Sequence, residues 1–331
     1  MVQGAMHTRN GLCRNEAKEI ADEELTVYDG SKPLASQGGS STGSLGSFQE
    51  RIEREPMTVT CDRQRTEARL LALEQYLTTN ILGADFVCPD YRVCRSSHAE
   101  AFYEGQLHHV GQFYDLLLDD LPLRVVVVVQ EYGHEPPRVG CQARYDMIMS
   151  SGLDYRFKAG GGYKARNPHM RGTTNVLRLL FGIPLGTDHD SEFMMIEGKR
   201  IHIFDAFALV NYLLCSAVST DGKMRGLATR TMMKNCQGHF REVMRILEPS
   251  VVIVQGTTFW AWVSAAFDSV TQKTDHVYRA RLGRAETSVA VFTHPSAHFP
   301  HNWGANDQTP YLVETVAPSI ASIRQQLRRV L

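Results

Sequence analysis

The feature that most constrains this chain is the run LRVVVVVQ, in which Val125 to Val129 are five consecutive valines. Valine is stiff at χ1 and favours the pleated backbone of a strand. Successive side chains of a strand point to opposite faces, so an unbroken apolar run offers neither face to water. Such a strand must be covered on both sides, as in the centre of a parallel sheet. SVVIVQG at 250–256 and SVAVFTH at 288–294 have the same character. A fourth strand falls at the start or middle of RIHIFDAFALVNYLLC, 200–215.

The intervening segments have helical spacing of apolar residues. RQRTEARLLALEQYLTTNIL at 63–82 is read as one helix and AEAFYEGQLHHVGQFYDLLLDDL at 99–121 as a second. TTNVLRLLFGI at 173–183 reads as a helix capped by Thr173 or Thr174. LATRTMMKNCQGHFREVMRIL at 227–247 is a long amphipathic helix stopped by Pro249. TTFWAWVSAAF follows the third strand as a helix, DHVYRARL is read as an edge strand, and 310–330 as a closing helix. Apolar strands alternating with helices predict an α/β fold: three αβα layers around a central, mainly parallel four-stranded sheet. Residues 1–60 contain the Gly/Ser-rich SKPLASQGGSSTGSLGS and are expected to be a flexible low-complexity tail, leaving 61–331 as one domain. The G-x-S-x-G match at Gly39–Gly43 lacks the strand before it and the helix after it that a nucleophile elbow requires.

No apolar run reaches membrane-helix length, and the N-terminus has no signal-peptide core, so a chain without membrane contact is expected. Thirty-five basic and 36 acidic residues nearly cancel, which argues against a whole-surface polyanion binder but allows local patches. Seven cysteines, an odd number, argue against a secreted disulfide framework and for a reducing compartment.

In parallel α/β sheets ligands bind beyond the carboxyl ends of the strands. The first end offers Gln130 and Glu131 ahead of a Pro-stiffened loop; the carboxylate could hold a water or a charged intermediate, or belong to a solvated acidic loop. The last end delivers His294, then Pro295 and Ser296, a catalytic group or a structural histidine at a turn. Five residues separate Cys88 from Cys94, and twenty separate Cys215 from Cys236. Four such thiolates suit an iron–sulfur cluster or zinc, with buried metal-free thiols as the alternative. From Tyr155 to Thr187 there is no acidic residue, while Lys164, Arg166 and Arg171 accompany a glycine triplet at 160–162. That stretch suits phosphate contact or a solvated loop.

Five pieces in one order resemble the uracil-DNA glycosylase superfamily, in particular its iron–sulfur branch: VVVVVQEYGHEPP, NPHMRGTTNVLRLLFGI, ALVNYLLC, NCQGHFREVMRILEPSVVIVQG and FTHPSAHF. The resemblance covers the chain from about Cys88 onward. It implies a repair enzyme that flips a base from DNA and hydrolyses its N-glycosidic bond. His294 then stabilises the departing base, Asn211 reads its edge, and Glu131 handles water or sugar charge. Cys88, Cys94, Cys215 and Cys236 match the ligands of a 4Fe-4S cluster. Gln130, His169 and Ser296 fall in the substrate pocket, and His169 stands where the family has a stacking Phe. Lys164, Arg166 and Arg171 become DNA contacts, and Phe299 a wedge into the base stack, unless it serves the core. The implied partner is DNA carrying uracil or a modified pyrimidine, and the implied state a monomer. The expected place is the bacterial cytoplasm with the nucleoid, or a eukaryotic nucleus.

Overall fold

A computed structural model describes residues 59–131, 138–153, 166–219 and 226–328. The tail expected over 1–60 thus lies outside the described residues, apart from its last two. Lys164, also read as a DNA contact, lies outside them as well.

The elements that position the site are as follows. Strand β1 is Val59–Cys61 and helix α1 Arg63–Asn80; α2 is the short Tyr91–Ser96. Strands β2 to β6 are Ala101–Glu104, His109–Val110, Leu116–Leu118, Leu121–Leu123 and Val125–Val129. Helices α3 and α4 are Cys141–Leu153 and Pro168–Phe181. Strands β7 to β10 are Phe193–Ile196, Lys199–His202, Ala208–Asn211 and Cys215–Val218. Helix α5 is Arg230–Leu247, β11 is Val251–Gln255 and α6 is Trp260–Ser264. Strands β12, β13 and β14 are Ser269–Gln272, Val277–Leu282 and Ala285–Phe292, and α7 is Ala317–Arg328.

The valine run is β6, and it lies inside the main sheet, whose order is β12-β13-β14-β11-β6-β9-β3. Neighbours β14, β11, β6 and β9 run parallel. The expected four-stranded sheet is corrected to seven strands. The four parallel strands are its centre, and antiparallel strands extend both edges. DHVYRARL is β13, and β12 rather than β13 is the edge on that side.

Alternation along β6 divides its valines between two cores. Val126 and Val128 join Leu73 and Leu77 of α1 and Phe240 and Val243 of α5. Val125, Val127 and Val129 join Val176 and Leu180 of α4 and Ile320 of α7. Alternate valines of β6 thus pack with different helices, and the fold is mixed α/β around a mostly parallel central sheet.

The helix expected over 99–121 is absent. That segment forms β2, β3 and β4, with β2 pairing antiparallel to β10 and β3 to β9. Its apolar spacing fits a helix, but tertiary pairing decides. Gly111 lies against the backbone of Asp205, where any Cβ would overlap it, and a helix could not make that approach. Helix α4 begins earlier than Thr173. Asn167 is its cap, accepting from the Met170 N–H at 2.9 Å, and Pro168 opens the first turn. Thr173 and Thr174 sit buried in the helix interior.

Arg166 lies beside that cap and is 5 % exposed. Its guanidinium donates to Glu192 at 2.7 Å and to the Thr174 hydroxyl at 2.8 Å. Arg178 and His202 also reach Glu192, at 3.5 and 3.2 Å. Arg166 as a phosphate contact is therefore corrected: it neutralises a buried carboxylate. No helix of the described residues is long and apolar enough to cross a membrane. Arg166→Ala would remove the shortest ion pair of the buried Glu192 and leave it to Arg178 and His202 alone. We expect a loss of 3–5 kcal/mol in urea unfolding, about the penalty for breaking a buried pair.

Candidate active site and thiol cavity

In chain order the four parallel strands are β6, β9, β11 and β14, and in space they read second, first, third, fourth. The order reverses between β6 and β11, and a ligand crevice forms beyond the strand ends at such a switch. The register sets the tips side by side: Asn211 pairs with Val129, Val128 with Val254, and Gln255 with Phe292. Asn211, the Gln130–Glu131 pair, Gln255 and His294 thus step across one edge of the sheet.

Glu131 extends one hydrogen-bonded step beyond β6 toward β10. Its carboxylate accepts from the Ala217 N–H at 3.1 Å and from the Gln130 amide at 3.3 Å. Burial pushes its carboxyl up to about 7 against these two bonds. Gln130 therefore serves Glu131, not a ligand directly.

Asn211 is 1 % exposed. Its side-chain N–H groups donate to the carbonyls of Gln106 and Leu107 at 3.1 and 3.2 Å. Its Oδ1 is buried with no partner. A buried amide oxygen left unpaired is costly unless a ligand N–H completes it. The side chain thus offers an acceptor, with its donors already engaged.

His294 stands two residues beyond β14 in a loop fastened to the start of α4. The buried Trp303 indole donates to the Thr293 carbonyl at 2.7 Å, and the Gly304 N–H to the Pro295 carbonyl at 2.9 Å. Gly304 passes so close to the Pro168 carbonyl that a Cβ there would overlap it. Arg171 donates to the Gly304 carbonyl at 2.5 Å, so one face of its guanidinium braces this loop. The Ser296 N–H donates to His294 Nδ1 at 3.2 Å, and the Ser296 hydroxyl lies 2.7 Å from it. With Nδ1 accepting, the neutral ring carries its proton on Nε2. His294 is exposed on its outer side, while loss of water where the ring meets the protein, with the nearby His169, pushes it down to about 4. Ser296 orients His294, whereas Phe299 is 74 % exposed in the same loop.

His169 packs against His294, with ring centroids 4.2 Å apart and planes at 86°. Its Nδ1 lies 3.0 Å from Gln255 Oε1. The Gln255 amide N–H groups donate to the His169 carbonyl and the Thr173 hydroxyl at 3.3 and 3.0 Å. Gln255 was not singled out from the sequence; the signal available was a polar residue closing the apolar strand SVVIVQG.

On the other side of the sheet Cys88, Cys94, Cys215 and Cys236 line one cavity with Asp90, Tyr91, Asn235 and His239. Four separate segments bring them there: the turn before α2, α2 itself, the start of β10 and the middle of α5. All four thiols are free, and Asn235 donates to Cys94 Sγ at 3.3 Å. Burial raises all four thiols, Cys236 to about 12. Thiolates could gather here only around strong positive charge. Among the described residues the one set of three metal-type donors within 4.8 Å of one another is His189, Glu192 and His202. Glu192 there is already neutralised by Arg166 and Arg178. No three thiol sulfurs are that close, whereas ligands of one tetrahedral zinc lie roughly 3.8 Å apart.

For Glu131 the linkage has a definite sign. Its folded value of about 7 exceeds the ordinary 4.5, so the folded state holds a proton the unfolded state lacks between those values. Stability from this group is present at low pH and declines as pH rises toward 7. Glu131→Gln should therefore stabilise the protein by roughly 3 kcal/mol at pH 8 and hardly at all at pH 4.5, read by urea unfolding. Neither a scan of protein-family models nor a search of curated proteins finds a match to this chain, so its function is argued from this geometry.

Proposed function

We propose that the chain is a DNA glycosylase of the uracil-DNA glycosylase superfamily, resembling the iron–sulfur branch. It would be built on three αβα layers around the four parallel strands. The substrate is uracil or a related modified pyrimidine in DNA. The observation that carries this reading is His294: a neutral imidazole, its Nδ1 occupied by Ser296, presented at a strand tip.

A pyrimidine leaves its sugar as an anion, with charge growing on its carbonyl oxygens. A neutral Nε2–H placed there stabilises that charge without transferring a full proton. Asn211 Oδ1 accepts the N3–H of the base, and the lone buried oxygen supports this role. Glu131, when ionised, holds the attacking water or offsets positive charge on the sugar. Water adds to the sugar carbon as the bond to the base nitrogen breaks, and the base collects a proton on release. Phe299 is placed to fill the gap left by the flipped base. Arg171, in the first turn of α4, would contact the DNA backbone. Cys88, Cys94, Cys215 and Cys236 would hold a 4Fe-4S cluster, which fixes the segments that carry them. The protein acts as a monomer in the compartment that holds the DNA.

A second reading is a binding module of the same fold without turnover. The high value of Glu131 favours it, because a protonated carboxyl cannot activate water.

Base release from uracil, hydroxymethyluracil and hypoxanthine oligonucleotides, single- and double-stranded, decides between them. We expect release from a pyrimidine substrate and a 10²–10³-fold loss in His294→Ala, about what removal of one such donor costs. Salt-dependent DNA binding without release would select the binding module. For the metal, protein purified without oxygen should be brown and contain iron, and Cys236→Ser should lose the colour. A colourless protein with one zinc would replace the cluster with zinc, and a metal-free one would return the cysteines to the core.

A further inference from the structure

His169 and Gln255 have no role in the reaction described above, yet they form a path in which Gln255 holds His169 by hydrogen bonds and the His169 ring packs edge to face on His294. We propose that His169, held by Gln255, is a positioning residue that keeps His294 neutral and fixes its ring orientation; this rests on the glycosylase reading of the site.

The path starts in the core. Gln255 is 1 % exposed at the tip of β11. Its amide donates to the Thr173 hydroxyl at 3.0 Å and to the His169 carbonyl at 3.3 Å, which fixes nitrogen and oxygen unambiguously. Oε1 must then accept, so His169 Nδ1, 3.0 Å away, carries the proton. The His169 ring is thereby locked by its own backbone and side chain to one amide. Locked in this way, it meets His294 edge to face at 4.2 Å between centroids.

Two consequences follow from that contact. The ring excludes water from one side of His294, and an imidazolium loses more from lost hydration than a neutral ring. The two rings also cannot both be charged at this separation without strong repulsion. His169 is itself lowered by burial, so the neutral pair is favoured across the physiological range. Ser296 secures His294 from its other side through Nδ1. Among the described residues His169 is the one titratable or charged neighbour acting on His294. With Ser296 behind the ring and His169 across it, Nε2–H is left as the free edge.

The test is a proton NMR titration of His294 in the full chain, with base release measured against pH in parallel. In the wild type His294 should titrate well below the ordinary histidine range. His169→Ala should raise its value by about one unit or more, toward the ordinary range. Between pH 7.5 and 5.5 protonation of Glu131 lowers release in both proteins; in His169→Ala the fall should be larger, by up to about tenfold where His294 returns to the ordinary histidine value. His169→Phe, which restores a ring of similar size, should bring the low value back. Gln255→Leu, which reaches His294 only through His169, should move it in the same direction as His169→Ala. An unchanged His294 titration in both His169→Ala and Gln255→Leu overturns the proposal, whatever the base-release result. A shifted titration in a protein that releases no base would sustain it while removing the glycosylase reading.

Discussion

The whole structure depends on hiding both faces of β6. Five valines in sequence leave no polar face, so helices must close over the strand from two sides. Parallel strands cannot be joined by tight turns and need crossovers of a dozen residues or more. Those crossovers here are α3 and α4 with the β7–β8 hairpin, then α5, then α6 with the β12–β13 ribbon. Each returns the chain to the same end of the sheet. All four carboxyl tips therefore point one way, and chemistry can be collected there without disturbing either core.

Burial then acts on those tips with opposite signs. Loss of water raises an acid and lowers a base, because in each case the charged form is penalised. Glu131 is pushed up, while His294 and His169 are pushed down. Near pH 7 the two imidazoles are neutral and the carboxyl is divided between its forms. A site of this kind holds little charge of its own. In the proposed reaction, charge on a departing base would meet oriented donors instead of a counter-ion already satisfied by water. The buried Asn211 oxygen fits the same pattern, an acceptor kept dry and aimed without a partner.

Much of this was legible in the residues. The apolar strands and the long helices at 63–80 and 230–247 follow from runs and spacings that are local in sequence. The segment 99–121 did not, because its leucines satisfy a helical period and its strand pairing depends on partners a hundred residues away. Arg166 misled for a related reason. A guanidinium beside glycines and lysines reads as a phosphate contact, and Glu192, which takes it into the core, lies 26 positions later. Gln255 escaped notice because a single glutamine after VVIV has no distinguishing local signal. Its role arises from His169 on another element.

Strand β10 joins what would otherwise be two separate sites. Cys215 opens it and faces the thiol cavity, while the Ala217 N–H two residues on holds the Glu131 carboxylate. Asn211 lies four residues before Cys215, and only the short turn Tyr212–Leu214 intervenes. That turn is itself pinned, by Tyr212 N–H to the Val129 carbonyl and Leu213 N–H to the Gln130 carbonyl, at 2.8 Å each. A displacement of Cys215 has little slack through which to dissipate before it reaches Asn211 on one side and Glu131 on the other. The thiol cavity need not touch a substrate to matter to it. Whatever gathers the four sulfurs also sets where the amide oxygen and the carboxylate stand, because a few well-packed residues separate them.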